Sequence, residues 1–398
     1  MRRYIRDADT SLGSTFHIKK VDSYGGIYFF NIPETCQGTI VKIIIAGGGT
    51  GGHLFPGIAV AEEFLRRSRE NSILFIGTER GLEKKILGNL GFNLLTLDVE
   101  GIKGRGLIKK ISALFKIPQS IVQSNRIIRD FHPNLVIGVG GYASGPAVMT
   151  AHFMTIKTAI MEQNALPGLT NRMLGKLVDR IFLTFAETRA WFPEEKTMVC
   201  GNPVRASFLV DNESRKRREG KFNLLIFGGS QGAHTINRAV LGALPYLKNM
   251  RQHLSIIHQT GEKDVHTVTE TYERHGVDAE IVPFIIDMAR AYRSSDLLIC
   301  RAGATSIAEI TATGKAAILI PFPFAVNDHQ TKNAAVLVKA RAAIMIREEN
   351  LHGQKLAETI DYLWRHPHII EKMEGNAGLL GNTKAAVDIV DACEKMIM

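Results

Sequence analysis

The stretch VKIIIAGGGTGGH (Val41–His53) decides the architecture. Its first half, Val41–Ala46, is a β-branched apolar run, which predicts a strand buried on both faces, as in a parallel sheet covered by helices. Glycines follow at once, then a helical pattern. Ile58, Ala61 and Leu65 recur three and four apart, and Arg66, Arg67 and Arg69 close the last turn, where cations suit the helix dipole. Pro56 is expected to delay the start of that helix.

Outward from this stretch the theme repeats. Ile73–Ile76, Leu135–Val139, Thr158–Met161 and Arg180–Thr184 read as further strands, with helical segments between them. The pattern restarts at Asn223–Phe227, which runs into Gly228-Gly229-Ser230-Gln231-Gly232 and a helix near Thr235–Leu244. Leu254–His258, Ala279–Val282, Asp296–Ile299 and Ala316–Ile320 supply more strands. The fold class is therefore α/β: two halves, each opened by strand, glycine loop and helix. The boundary falls near Asn202–Arg205, and a last amphipathic helix spans about Lys384–Met396. The charged stretch Asp211–Lys221 reads as a loop just inside the second half. Doubly wound halves bind ligands at the carboxyl ends of their strands, so two facing halves predict a cleft there.

Residues 1–40 do not fit this scheme. They begin basic (Arg2, Arg3, Arg6) but hold no apolar core of a secretion signal. The run Ile27–Phe30 reads as a short strand, and the segment is expected to lie outside the core fold, which begins at Val41.

The chain of 398 residues is 45% hydrophobic and 22% charged, which suits two domains with sizeable cores. No stretch reaches the roughly 18 to 20 apolar residues that a membrane span needs. Lys and Arg number 49 against 39 Asp and Glu, a net charge of +10 that fits an anionic partner. Basic runs interleaved with aromatics are not evident, so nucleic acid is not the expected partner. Cys36, Cys200, Cys300 and Cys393 are far apart and form neither a disulfide framework nor a zinc spacing, which points to a reducing cytoplasm.

Six loops carry candidate chemistry. In the first, Gly47, Gly49 and Gly52 satisfy G-x-G-x-x-G, and Glu79 stands near the place of a ribose-binding acid, so a nicotinamide-dependent oxidoreductase stays open. His53 ends the loop and is a candidate general base, although a loop histidine has several plainer uses. The second, Gly138–Pro146, places Tyr142 and Ser144 in a glycine frame. The third is Glu162-Gln163-Asn164, which either caps a helix or faces the cleft. The fourth, Gly228–Gly232, resembles an anion loop without the lysine of a Walker motif. The fifth, Arg301–Glu309, opens a helix whose N-terminus suits a diphosphate; Glu309 reads as a sugar ligand or a solvated helix acid. The sixth is Asn327-Asp328-His329-Gln330. From Val41 onward no Asp-x-Asp pair stands where a divalent metal would grip a diphosphate, so no metal site is expected.

Taken in order, GGTGGH (48–53), GGYASGP (140–146), EQN (162–164), GNPVR (201–205), GGSQGA (228–233), RAGATS with Glu309, and DHQ (328–330) resemble a known bacterial family. It is that of the UDP-N-acetylglucosamine–N-acetylmuramyl-(pentapeptide) pyrophosphoryl-undecaprenol N-acetylglucosamine transferases of peptidoglycan synthesis. The resemblance runs from about Val41 to the C-terminus. It implies a GT-B fold of two Rossmann-like domains and an inverting transfer from UDP-GlcNAc to the undecaprenyl-linked acceptor, lipid I, giving lipid II. No cofactor is implied. Residues 41–204 would form the acceptor and membrane domain, 205–383 the UDP-GlcNAc domain, and 384–398 a helix returning to the first.

By the same resemblance, donor contacts fall on Thr50, Gly51, Gly52, Asn164, Arg205, Ser230, Ile285, Ala304, Thr305, Ser306, Glu309 and Gln330. Thr305 stands where the family also carries an apolar residue. The family's proposed base falls on His53, and Tyr142 and Ser144 lie on the acceptor side. Leu107, Ile111, Leu114 and Phe115 recur at helical spacing among Lys103, Arg105, Lys109, Lys110 and Lys116. Alone, that pattern describes an ordinary helix on a core. With the resemblance, it reads as a patch on an anionic membrane, peripheral on its cytoplasmic face. Rival readings are another GT-B enzyme, such as a glycolipid glycosyltransferase or a UDP-GlcNAc 2-epimerase, the oxidoreductase, and a non-catalytic membrane-binding module.

Overall fold

The two glycine-ended runs each become the strand from which a parallel sheet is wound. The computed structural model describes residues 20–21, 27–28, 40–49, 51–78, 83–99, 107–210, 220–229, 231–325 and 328–398, apart from the side chains at 20–21, 27–28, 85 and 107–117. The expectations for Thr50, Glu79, Ser230, Asn327, Cys36 and the stretch 211–219 lie outside the described residues, as does most of 1–40. Of that first segment, β1 (Lys20–Val21) and β2 (Ile27–Tyr28) are described, as an antiparallel pair.

The first sheet holds β3 (Lys42–Gly47), β4 (Ser72–Thr78), β5 (Asn93–Leu97), β6 (Leu135–Gly140), β7 (Lys157–Glu162), β8 (Arg180–Leu183) and β9 (Thr197–Val199). Their order is β5-β4-β3-β6-β7-β8-β9, parallel throughout. The connecting helices are α1 (Gly51–Arg67), α2 (Glu83–Leu90), α3 (Leu107–Phe131), α4 (Ser144–Phe153) and α5 (Leu169–Leu174). After the short α6 (Ala206–Leu209) comes the second sheet: β10 (Phe222–Phe227), β11 (Leu254–Gln259), β12 (Ala279–Val282), β13 (Leu297–Cys300), β14 (Ala316–Leu319) and β15 (Ala343–Met345). Its order is β12-β11-β10-β13-β14-β15, again parallel. Around it run α7 (His234–Ala243), α8 (Val265–His275), α9 (Met288–Ser294), α10 (Ala304–Thr313), α11 (His329–Lys339), α12 (Gly353–Arg365) and α13 (Pro367–Leu380). In both sheets the chain winds outward one way, then returns to the middle and winds the other way. The switch points fall between β3 and β6 and between β10 and β13, where crevices form.

The apolar run needs no alternation because both faces are covered. Ile43 and Ile45 pack with Leu54, Ile58 and Phe64 of α1. Ile44 and Ala46 pack on the other face with Ala147 and Val148 of α4. The edge strands β5, β9 and β15 escape such a reading. In β5, Asn93, Leu95 and Thr96 are exposed, so no continuous apolar run marks it.

The last helix, α14 (Ala385–Ile397), leaves the second sheet's surroundings and joins the first core through Ile389, Val390 and Cys393. Arg67 holds it, 2.6 Å from Asp391 and 2.6 Å from Glu394, while also reaching Glu63 at 3.0 Å. The last turn of α1 is thus a clamp on α14 as well as a place for dipole-matched charge. Nearby, Asn382 Nδ2 donates to Cys200 O at 2.7 Å, so the two crossings between the sheets lie side by side. Burial pushes the Cys200 thiol up to about 12, which makes it a core residue and not a nucleophile. No described helix is long and apolar enough to cross a membrane.

Candidate active site

The two switch points meet across a cleft. The first contact begins with Pro56, which does not delay α1. The helix starts at Gly51 and carries Pro56 inside. Proline has no N–H to return to the carbonyl four residues back, so Gly52 O is left without its helical partner. Thr305, from the first turn of α10, donates its Oγ1 to that carbonyl at 3.1 Å. Asn333 of α11 makes a second bridge. Its Oδ1 accepts from Ala165 N at 3.4 Å, and its Nδ2 donates to Ala302 O at 3.3 Å.

On the first unit's side, the glycines serve the close approach of neighbouring protein. Gly48 N donates to Gly140 O at 3.2 Å, fastening the first loop to the second. Gly140 has φ +94, and a Cβ there would lie 2.7 Å from His53 Nδ1. Glu83 of α2 is 1% exposed. Its Oε1 accepts from Gly49 N at 2.5 Å, and its Oε2 has no partner among the described residues. A Cβ on Gly48 would collide with this carboxylate. An amide that a dinucleotide's pyrophosphate would use is therefore occupied by an anion already, which counts against the nicotinamide reading.

His53 sits in the first turn of α1, with Nδ1 3.2 Å from Gln163 Oε1. Gln163 in turn donates Nε2 to Val139 O at 3.1 Å. Glu162 is turned away from solvent and ties down the start of α5, whose N-cap is Gly168. It is buried at the end of β7 and organises the loop that follows. Its carboxylate accepts from Asn164 N at 2.9 Å, Asn164 Nδ2 at 3.2 Å, Gly168 N at 3.0 Å and Asn171 Nδ2 at 2.9 Å. Asn164 is held ready by this ring. Of the acceptor-side pair, Tyr142 is 54% exposed, whereas Ser144 is buried and its Oγ has no partner among the described residues.

On the second unit's side, Gln259 ends β11 and links two neighbouring loops. Its Nε2 donates to Gly229 O at 2.7 Å, and its Oε1 accepts from Ile285 N at 2.9 Å. Ala304, Thr305 and Ser306 form the first turn of α10. Glu309 lies deeper in that helix and is buried, so the solvated-acid reading fails. It accepts from Tyr292 OH at 3.2 Å and pairs with Arg205 Nη2 at 3.7 Å. Burial pushes its carboxyl up to about 7, against the pull of Arg205 and Tyr292. The Arg205 guanidinium lies 4.4 Å from the centre of the Phe55 ring of α1 and 5.1 Å from that of Phe208. Gln330 Oε1 accepts from Phe322 N at 3.0 Å. Leu107, Lys109, Lys110, Ile111, Leu114 and Phe115 lie in the backbone of α3, and their side chains are outside the described set.

The model of the glycosyltransferase family 28 N-terminal domain matches residues 43–183, and that of its C-terminal domain matches residues 223–392. The chain belongs to glycosyltransferase family 28. A relative from Syntrophus aciditrophicus (strain SB) is 60% identical over 357 residues, 90% of this chain and 99% of its own length. That relative is named UDP-N-acetylglucosamine–N-acetylmuramyl-(pentapeptide) pyrophosphoryl-undecaprenol N-acetylglucosamine transferase. Among solved structures, Acinetobacter baumannii MurG is 30% identical, with a TM-score of 0.71 over 89% of this chain and 100% of that one. A UDP-GlcNAc 2-epimerase from Neisseria meningitidis bound to UDP-GlcNAc shares the fold alone, at 15% identity and a TM-score of 0.62 over 90% of this chain and 100% of that one.

Within this family 28 site, sequence reading assigned no role to Glu83, Gln259 and Asn333, and took Gln163 only as part of a loop that caps a helix or faces the cleft. Two of them carried a weak signal. Gln259 ends a buried strand and Gln163 follows one directly, which is where a doubly wound sheet keeps its ligand crevice. Glu83 and Asn333 carried none, because their partners are brought in by tertiary packing.

Proposed function

We propose that this family 28 chain moves N-acetylglucosamine from UDP-GlcNAc to the 4-hydroxyl of the muramyl sugar of undecaprenyl-pyrophosphoryl-MurNAc-pentapeptide, turning lipid I into lipid II. The observation that carries this reading is the 60% identity to the relative of that name, of which 99% is matched. The donor would lie on the second unit, against Ile285, the first turn of α10, Glu309 and Gln330, with Gly51, Gly52, Asn164 and Arg205 closing over it. Thr50 and Ser230 belong to the same set by resemblance. The acceptor would lie on the first unit beside Tyr142.

The reaction is a single displacement. The acceptor oxygen forms a bond to the anomeric carbon as the bond from that carbon to the diphosphate oxygen breaks. The hydroxyl proton goes to His53, and the electron pair leaves with UDP. Free N–H groups at the start of α10, whose N-cap is Gly303, stabilise the charge that develops on the leaving group. The segment Leu107–Phe115 would bring the enzyme to an anionic membrane surface on its cytoplasmic face, helped by the net charge of +10.

The test is UDP release from UDP-GlcNAc, with and without a lipid I analogue, in EDTA. Release that requires the acceptor is expected, and it separates a transferase from an epimerase on the same scaffold. No acceptor-dependent release, in EDTA and again with Mg²⁺ restored, would overturn the proposal.

A further inference from the structure

Gln163 has two hydrogen bonds and a fixed mounting. It follows β7 directly, is 1% exposed, and lies between the end of β6 and the first turn of α1. Val139 O can only accept, so the Gln163 amide must turn its NH₂ toward it, at 3.1 Å. The reversed amide would set two carbonyl oxygens against each other and lose that bond. With the NH₂ committed, only Oε1 remains for His53, and it lies 3.2 Å from Nδ1. A carbonyl oxygen only accepts, so Nδ1 must carry the imidazole proton. Nε2 then holds the lone pair, and it makes no hydrogen bond among the described residues. The ring cannot swing away on the Gly140 side, because it already lies against that backbone, within the space of a missing Cβ.

We infer that Gln163 is a positioning residue that fixes the proton of His53 on Nδ1 and leaves Nε2 as the basic nitrogen; its catalytic meaning rests on His53 being the base. An unconstrained imidazole in water keeps its proton mainly on Nε2. Such a tautomer would present an N–H to the acceptor hydroxyl and could not take its proton. The carbonyl of Val139, through one amide, therefore selects the reactive form of a side chain on another element.

The test uses the full chain labelled with ¹⁵N-histidine. Long-range ¹H–¹⁵N spectra read the tautomer, with the His53 signals identified by their loss in His53→Gln. At a pH where the ring is neutral, the wild type is expected to show the proton on Nδ1, Gln163→Met mainly on Nε2, and Gln163→Glu a proton retained on Nδ1. In the transferase assay, Gln163→Met is expected to lower kcat by about 10- to 100-fold while the KM for UDP-GlcNAc moves by less than about twofold. A wild-type ring protonated at Nε2 would overturn the inference without any variant. So would Gln163→Met that keeps both the Nδ1 proton and kcat. Near-normal turnover by His53→Ala would remove the base itself, and with it the catalytic meaning of Gln163. The spectra alone still decide whether Gln163 sets the tautomer.

Discussion

Glu309 and Glu83 are both buried carboxylates, and their surroundings treat them differently. Glu83 accepts a backbone N–H from its glycine loop. Glu309 is shared between Arg205 and Tyr292, with burial as the larger influence, and its carboxyl is raised from 4.5 to about 7. Its folded value lies above its unfolded one. Its contribution to stability is therefore complete below about pH 4.5 and is lost as pH rises through about 7. Donor binding should run the other way. If ribose hydroxyls donate to this carboxylate, affinity for UDP rises between about pH 6 and about pH 8. Glu309→Gln is expected to weaken UDP binding about tenfold and to flatten that rise, as read by titration calorimetry across the range. A variant that kept the wild-type slope would remove Glu309 from the donor site. The position of Glu309 was legible in the sequence, one turn into a helix after a buried strand. Its burial was not, because Tyr292 and Arg205 come from other elements.

At the scale of elements, the buried strands announced themselves through continuous β-branched runs. The edge strand β5 did not, since one side of it is open and polar, exposed residues interrupt the apolar run. Pro56 was misread for a related reason. Local propensity makes proline a helix breaker, but α1 accommodates it because the freed Gly52 carbonyl finds Thr305. The helix α3 begins at Leu107, so the part of the basic amphipathic pattern from Leu107 to Lys116 lies on helical backbone, while Lys103 and Arg105 lie outside the described residues. Each charge near an anionic surface is worth about 1 kcal/mol. Replacing Lys109 and Lys110 together by Ala is therefore expected to weaken binding to vesicles containing anionic lipid about thirtyfold. Binding of UDP should be unchanged. Equal loss on vesicles of neutral lipid, in a flotation assay, would show that the patch acts otherwise than by charge.

At the scale of the molecule, few hydrogen bonds among the described residues cross the cleft between the units. Thr305 reaches Gly52 and Asn333 reaches Ala165, and both partners lie in or next to residues proposed to hold the donor. The linker adds Ala206 N donating to Glu62 Oε2 at 3.1 Å. A single neutral hydrogen bond contributes about 0.5–1.5 kcal/mol. Thr305→Val should thus shift the balance toward separated units and lower kcat/KM by about 2- to 10-fold. A larger radius of gyration in small-angle scattering should accompany the loss. An unchanged radius with unchanged kcat/KM would show that the bond does not fasten the cleft. Two parallel sheets and their opening glycine loops could be read from residue order alone, because burial on both faces and sharp strand-end turns leave strong local signatures, and the motifs that carry the proposed contacts could be matched to a family. The partners of those contacts could not. Glu83 beneath Gly49, Gln163 behind His53, Gln259 between Gly229 and Ile285, and α14 on the first core are all meetings of residues far apart in the chain. Such meetings leave no periodicity, since they depend on how strands are ordered and how two sheets face each other.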